Sequence, residues 1–294
     1  MKKRDGANRR NPWRFLAPLL VFAVGAGIFL YPAFSNFMAE KNHKEIISDY
    51  ENKVENQSDE ERKGEWEKAE QYNENLAGDP VHDPFIMGSG YVLPDNYEQV
   101  LNINGDGVMG YLEIPKIDAY LPIYHGTSDE VLQKGVGHLE ATALPIGGTY
   151  RHPVLSAHRG LPSSELFSRL DEMEVGDTFF LHILNETLAY EVDQIEVILP
   201  EELSLLAPVE GRDLVTLLTC TPYAVNTHRL LVRGSRTDYV KEASAQEEGK
   251  SVEDHMPEWM REYRDSILIG LFLLIVIGSL IGAIHWIRKR KRKS

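Results

Sequence analysis

Cysteine is almost missing from this chain: Cys220 is the only one in 294 residues. A single thiol excludes an internal disulfide, and with no second cysteine or short Cys/His spacing beside it a zinc site is not expected. Basic residues are also scarce away from the two ends. The formal net charge is −14. Once twelve tail Lys/Arg and Asp5 are set aside, 19 basic residues remain against 44 acidic ones, a charge near −25. Such a surface excludes phosphate-backbone binding, so no nucleic-acid partner is expected. Length is limiting too. At 43% hydrophobic and 26% charged, 294 residues fit one sizeable globular domain plus accessory segments rather than two full domains.

The basic residues that are present cluster beside two apolar runs. Residues 1–14 form a basic tail, and 15–35 are apolar enough for a transmembrane helix or signal anchor. A cleaved signal peptide is the alternative, because Ala33 and Ser35 follow the run as small residues. A second run, 266–287, precedes the basic tail 288–294. Positive charge marks the cytoplasmic side, so a two-pass protein is expected, with both termini inside and everything between them outside the cell membrane.

Between the membrane runs the chain changes character several times. Residues 36–77 are polar, with Ile46, Ile47, Tyr50, Val54, Trp66, Ala69 and Tyr72 at helical intervals, which predicts a helical N-terminal extension, either a stalk or a packed one. Residues 78–100 hold Asp79-Pro80, Asp83-Pro84 and three glycines and read as a loop. The run Asn102-Ile103-Asn104-Gly105-Asp106-Gly107 superficially matches a calcium loop, but it continues into an alternating, proline-bearing segment and is read as a turn before a strand. Strands are expected over 111–117, 119–124, 152–158, 178–184, 189–199, 215–220 and 230–236, with short helices over 129–134, 163–170 and 201–206. So many short strands between Gly/Pro turns predict a mainly β domain over 101–240, a barrel or sandwich. A polar linker, 241–265, follows it.

Chemistry concentrates at strand ends. The apolar run Leu214-Val215-Thr216-Leu217-Leu218-Thr219 ends at Cys220, Asn226-Thr227-His228-Arg229 opens the next strand, and Pro153-Val154-Leu155-Ser156-Ala157 leads into His158. A thiol needs a cationic neighbour to ionise at neutral pH. A histidine can move the proton in acyl transfer. A guanidinium suits a developing oxyanion better than acid-base work. The alternative is an inert buried cysteine in a non-catalytic, membrane-tethered binding barrel. His228 should point away from Arg229's face, and His125, His138 and His182 suit structural roles.

These residues resemble the sortases. Thr216-Leu217-Leu218-Thr219-Cys220 is similar to the family's TLxTC signature, Asn226 to Leu230 to its arginine-bearing strand, and Ser156 to Pro162 to its histidine segment. The resemblance implies a closed eight-stranded β-barrel with short flanking helices, with Cys220 as nucleophile, His158 as general acid and base, and Arg229 as stabiliser of oxyanion or substrate. Ser156 and Thr219 are candidate groove residues. Two membrane segments and Asp83-Pro84-Phe85 resemble the class C, pilus-assembling members, which implies a lid in which Asp83 pairs with Arg229 and Phe85 covers Cys220. The implied reaction cleaves an LPXTG-like signal between Thr and Gly and passes the acyl group to a lysine amine of another pilin, with no metal or other cofactor. Anchoring of surface proteins to the peptidoglycan cross-bridge is the rival task.

Overall fold

The structure, a computed structural model, describes residues 13–76 and 96–239. The Asp83-Pro84-Phe85 segment and the apolar run 266–287 lie outside the described residues.

The first helix, α1 (Trp13–Glu55), passes without a break from the apolar run into the polar extension. Among the described residues it is the one helix long and apolar enough to cross a membrane. Its outer half turns His43, Ile47, Tyr50 and Val54 inward, one helical face at i, i+4, i+7 and i+11. The extension is therefore packed rather than a stalk. A second helix, α2 (Asp59–Asn75), starts at a capping box in which Ser58 and Glu61 satisfy each other's backbone N–H. Asp59, Glu60 and Glu61 complement the positive end of its dipole. Arg62 closes the turn between the helices by donating to the carbonyls of Val54 and Gln57.

Eight strands close into a barrel in the order β1-β2-β3-β4-β7-β8-β6-β5. They are β1 (Val108–Ile114), β2 (Ala119–His125), β3 (Val136–His138), β4 (Val154–Ser156), β5 (Thr178–Ile183), β6 (Glu186–Ile198), β7 (Leu214–Thr221) and β8 (His228–Thr237). A short helix, α3 (Asp129–Lys134), makes the β2–β3 crossover and coincides with the expected one. Two pairings are parallel, β2 with β3 and β4 with β7. The remainder are antiparallel.

Leu112, Ile123, Leu155, Val215 and Leu217 share one apolar cluster with Ile47, Tyr50, Ala69 and Tyr72, so both helices belong to the barrel's core. Each such side chain stabilises the fold by about 1.5–3 kcal/mol. Tyr50 fixes the contact by direction, its hydroxyl donating to Met109 O at 2.9 Å and accepting from Leu184 N–H at 2.8 Å. Asn73 pairs its amide with both backbone groups of Leu144. Inside the barrel the space opposite Gly234 is taken by Phe179, whose Cε1 lies 2.6 Å from where a Cβ would stand.

Several expected boundaries move, each for a local reason. The strand expected over 111–117 stops at Ile114 because Pro115–Ile117 forms a 3-10 turn closed by Asp118 at φ 52°. The helix expected over 163–170 is a series of turns, with Leu166 held at φ 40°. The helix over 201–206 shrinks to a 3-10 turn at Leu203–Leu206. Residues 152–158 contribute only the three-residue β4, and β3 was not expected. The polar side chains of the calcium-like run serve their own turn, Asn102 accepting from Gly107 N–H and Asp106 from Val108 N–H. It leads into β1, as expected.

Candidate active site

The β7–β8 register sets Cys220 directly opposite Arg229. Both are nearly buried, at 6% and 5% exposure, so the thiol and the guanidinium share a desolvated rim where a charge acts over short range with little screening. Arg229 Nη1 donates to the carbonyls of Asn226 and His228 at 3.2 and 3.1 Å. Those bonds orient the guanidinium along the turn that joins the two strands. In that turn Ala224 and Asn226 adopt positive φ, and Val225 and Asn226 donate N–H to Pro222 O.

His158 reaches the same rim from the other side. β4 runs parallel to β7 with Ser156 opposite Leu218, and the bond from Ala157 N–H to Leu218 O carries the pairing one residue further. Thr219 then donates its hydroxyl to Ala157 O at 2.7 Å. Beyond His158, Arg159 gathers its own loop, with Nη1 donating to Thr221 at 2.9 Å, Nε to Ser168 O, and Nη2 pairing with Asp171. Gly160, at φ 84°, leaves room for the Tyr223 ring, 3.0 Å from a Cβ placed there. The histidine segment is thus bonded to β7 on both sides of Cys220. Burial holds the His158 pKa below its ordinary value, with the Asp129 carboxylate opposing the shift.

A sortase domain model matches residues 112–237. Sortase D of Bacillus subtilis is 34% identical over 115 residues, 39% of this chain and 55% of its own length, so the chain spans about half of that relative. The match to solved structures is fuller. Sortase C of Streptococcus pneumoniae is 42% identical with a TM-score of 0.59, covering 66% of this chain and 97% of that one. The chain belongs to the sortase family. Sortase C1 of Streptococcus agalactiae, at 44% identity and a TM-score of 0.60 over 66% of this chain and 94% of its own, places it beside the same group of cysteine transpeptidases.

In this sortase the three residues singled out from the sequence, Cys220, His158 and Arg229, stand on one rim. Ser156 and Thr219, the candidate groove residues, are both fully buried beside that rim. The Thr219 hydroxyl is spent on Ala157. The lid residues fall outside the described segments. His228 pairs across the strand with Thr221, and its Nδ1 lies 2.9 Å from the Thr227 hydroxyl. Sequence reasoning passed over Arg159, although an arginine directly after a candidate histidine was a signal that could have found it. A separate cleft of about 860 Å³ opens at the opposite rim between α2 and the barrel. Its lining includes Arg62, Trp66, Asp213 and Arg236 and offers no thiol or imidazole, so it is not the seat of acyl transfer.

Proposed function

We propose that this sortase is a membrane-anchored transpeptidase that cleaves an LPXTG-like signal between Thr and Gly and joins the acyl group to a lysine amine of a second pilin. The observation that carries the reading is the register that opposes Cys220 to Arg229 while Thr219 holds the His158 segment alongside. His158, kept neutral by burial, takes the thiol proton. The Cys220 thiolate attacks the Thr carbonyl carbon, and Arg229 stabilises the oxyanion. The C–N bond breaks as His158 returns the proton to the leaving amine, leaving a thioester. The lysine amine then adds to the thioester carbonyl, its proton passes through His158, and the thiol departs restored.

The pilin task draws support from the relatives: the pneumococcal enzyme's structure bears on pilin substrate specificity, and a streptococcal sortase C1 belongs to a pilus island. The Asp83-Pro84-Phe85 lid and the two-pass topology, with the catalytic domain outside, complete the proposal. No cofactor takes part. Mass spectrometry of the full chain with an LPXTG peptide and a pilin domain tests it. A Cys220 thioester followed by a lysine isopeptide is the expected result. Transfer only to a cross-bridge amine would replace polymerisation with anchoring, transfer only to water would leave a hydrolase, and no adduct at all would leave a binding barrel.

Thr219 enters this reading as a positioning residue. Thr219→Val keeps the volume and removes the donor to Ala157 O, and is expected to lower stability by about 1 kcal/mol. Turnover should fall about tenfold with KM unchanged. Thr219→Ser should restore both, and a Val variant that keeps full kcat would remove Thr219 from the mechanism.

A further inference from the structure

The route of α1 along the barrel gives the domain an orientation. Near the start of the described contacts, the Ser35 hydroxyl donates to Ser163 O at 3.1 Å, in the loop that follows His158. Further on, His43 Nε2 meets Lys134 O at 2.9 Å, and Tyr50 reaches Met109 and Leu184. The strand registers place those last two residues on the rim opposite Cys220, since Ile198 pairs with Arg229 at one end of β6 and Ala189 with Thr237 at the other, while Ile183 pairs with Glu186. From Ser35 to Tyr50 the helix rises about 22 Å, close to the roughly 25 Å that an eight-residue strand such as β7 spans. So α1 enters beside the Cys220 rim and leaves at the far one.

The apolar part of α1 continues past the Ser35 contact. Phe34, Phe37 and Met38 are 66%, 63% and 46% exposed, and the next side chain to be buried in the domain is His43. No spacer separates the membrane stretch from the barrel: Met38 to His43 is only about 7 Å of helix. Ser163, level with Ser35, therefore stands at the depth where the apolar stretch ends. The rim around it suits an interface, with Pro162 exposed and Tyr223 and Val225 57% and 63% exposed, apolar and amphipathic side chains of the kind that settle among lipid headgroups.

We infer that the Cys220 rim rests on the bilayer surface, with the loop 159–164 and the turn 222–226 in the headgroup layer and the α2 cleft facing away. A peptide reaching the thiol then does so along the membrane surface. The inference rests on α1 being a membrane anchor, and the test separates the two. The full chain carrying Cys220→Ala receives single cysteines, Pro162→Cys or Val225→Cys at the rim and Glu186→Cys at the far end, each bearing an environment-sensitive fluorophore. It is reconstituted in phosphatidylcholine vesicles containing lipids nitroxide-labelled near the headgroup. Quenching at both rim positions several-fold above that at 186 is expected. A further probe at Phe29→Cys, in the apolar part of α1, reports the anchor in vesicles whose lipids carry the nitroxide along the acyl chain. Quenching of that probe with equal headgroup quenching at the other three positions overturns the orientation alone. A Phe29→Cys probe that escapes acyl-chain quenching overturns the anchor and the orientation with it.

Discussion

Cys220→Ala is expected to abolish acyl transfer while leaving the barrel intact. The side chain is 6% exposed and packed at the end of β7, and removing one sulfur costs about 1 kcal/mol of burial. The folded protein should therefore survive with nearly unchanged melting. Activity should fall on the order of 10⁴-fold or more, because the residues of a covalent mechanism act as a unit and the remainder supplies only binding and electrostatic stabilisation. Cys220→Ser should fare little better, since a hydroxyl is far harder to ionise beside a neutral imidazole. Intact mass after incubation with an LPXTG peptide is the direct check. A covalent adduct, or product formed at the wild-type rate, in the alanine variant would remove Cys220 as nucleophile.

The second large effect concerns acid. His138 is fully buried, and its Nε2 lies 2.8 Å from Ala143 O. A carbonyl only accepts, so Nε2 carries the proton, and Nδ1, 2.9 Å from the Tyr97 hydroxyl, accepts from it. Tyr97 O in turn accepts from Gly126 N–H at 2.9 Å. A second imidazole proton on Nδ1 would force the Tyr97 hydroxyl to turn its own proton onto the longer 3.3 Å contact with His138 O, in a site with no solvent to stabilise the charge. Burial pushes the His138 pKa down to about 4, the Ala143 carbonyl opposing and the His125 charge adding to the shift. The unfolded chain titrates near 6.5, so between these values the unfolded state binds more protons. Stability is then full above about 6.5 and declines as pH falls toward 4, by about 3 kcal/mol from this residue.

His43 and His152, also lowered by burial, act with the same sign. Glu140, raised by burial, acts against them. Urea midpoints at pH 7, 5.5 and 4 for wild type and His138→Gln isolate the contribution. The variant should lose about 2 kcal/mol at pH 7 and show a visibly shallower decline. Parallel pH profiles for the two proteins would contradict this account.

How much of this could be read beforehand depended on how local the cause was. Cys220 and Arg229 were legible because two uninterrupted β-branched and leucine-rich runs flank a short turn, so their opposition follows from the hairpin alone. Seven of the strands were similarly visible. β3 was not, because three residues, Val136–His138, carry no period. The helix over 163–170 had suitable spacing, but the bonds that Arg159 and Gly160 make to Ser168 draw that segment into turns. The Tyr97–His138 pair is separated by 41 residues and exists only once the barrel has closed. Nothing near either residue announces it. The packed state of 36–76 was equally hidden, since a stalk and a docked helix share one amphipathic pattern.

The parallel contact between β4 and β7 also bears on when the protein becomes reactive. Val154 pairs with Thr216, about sixty residues later in the chain, a loop whose closure entropy must be met before any ladder bond forms. Nucleation through nearby hairpins such as β5–β6 can come first; joining β4 to β7 is a late, non-local event of the kind that slows β-rich folding. His158 and Cys220 meet only at that step. The thiol proposed as nucleophile thus stays without its proposed proton acceptor until most of the domain is made, so the site matures last in the assembly of the barrel.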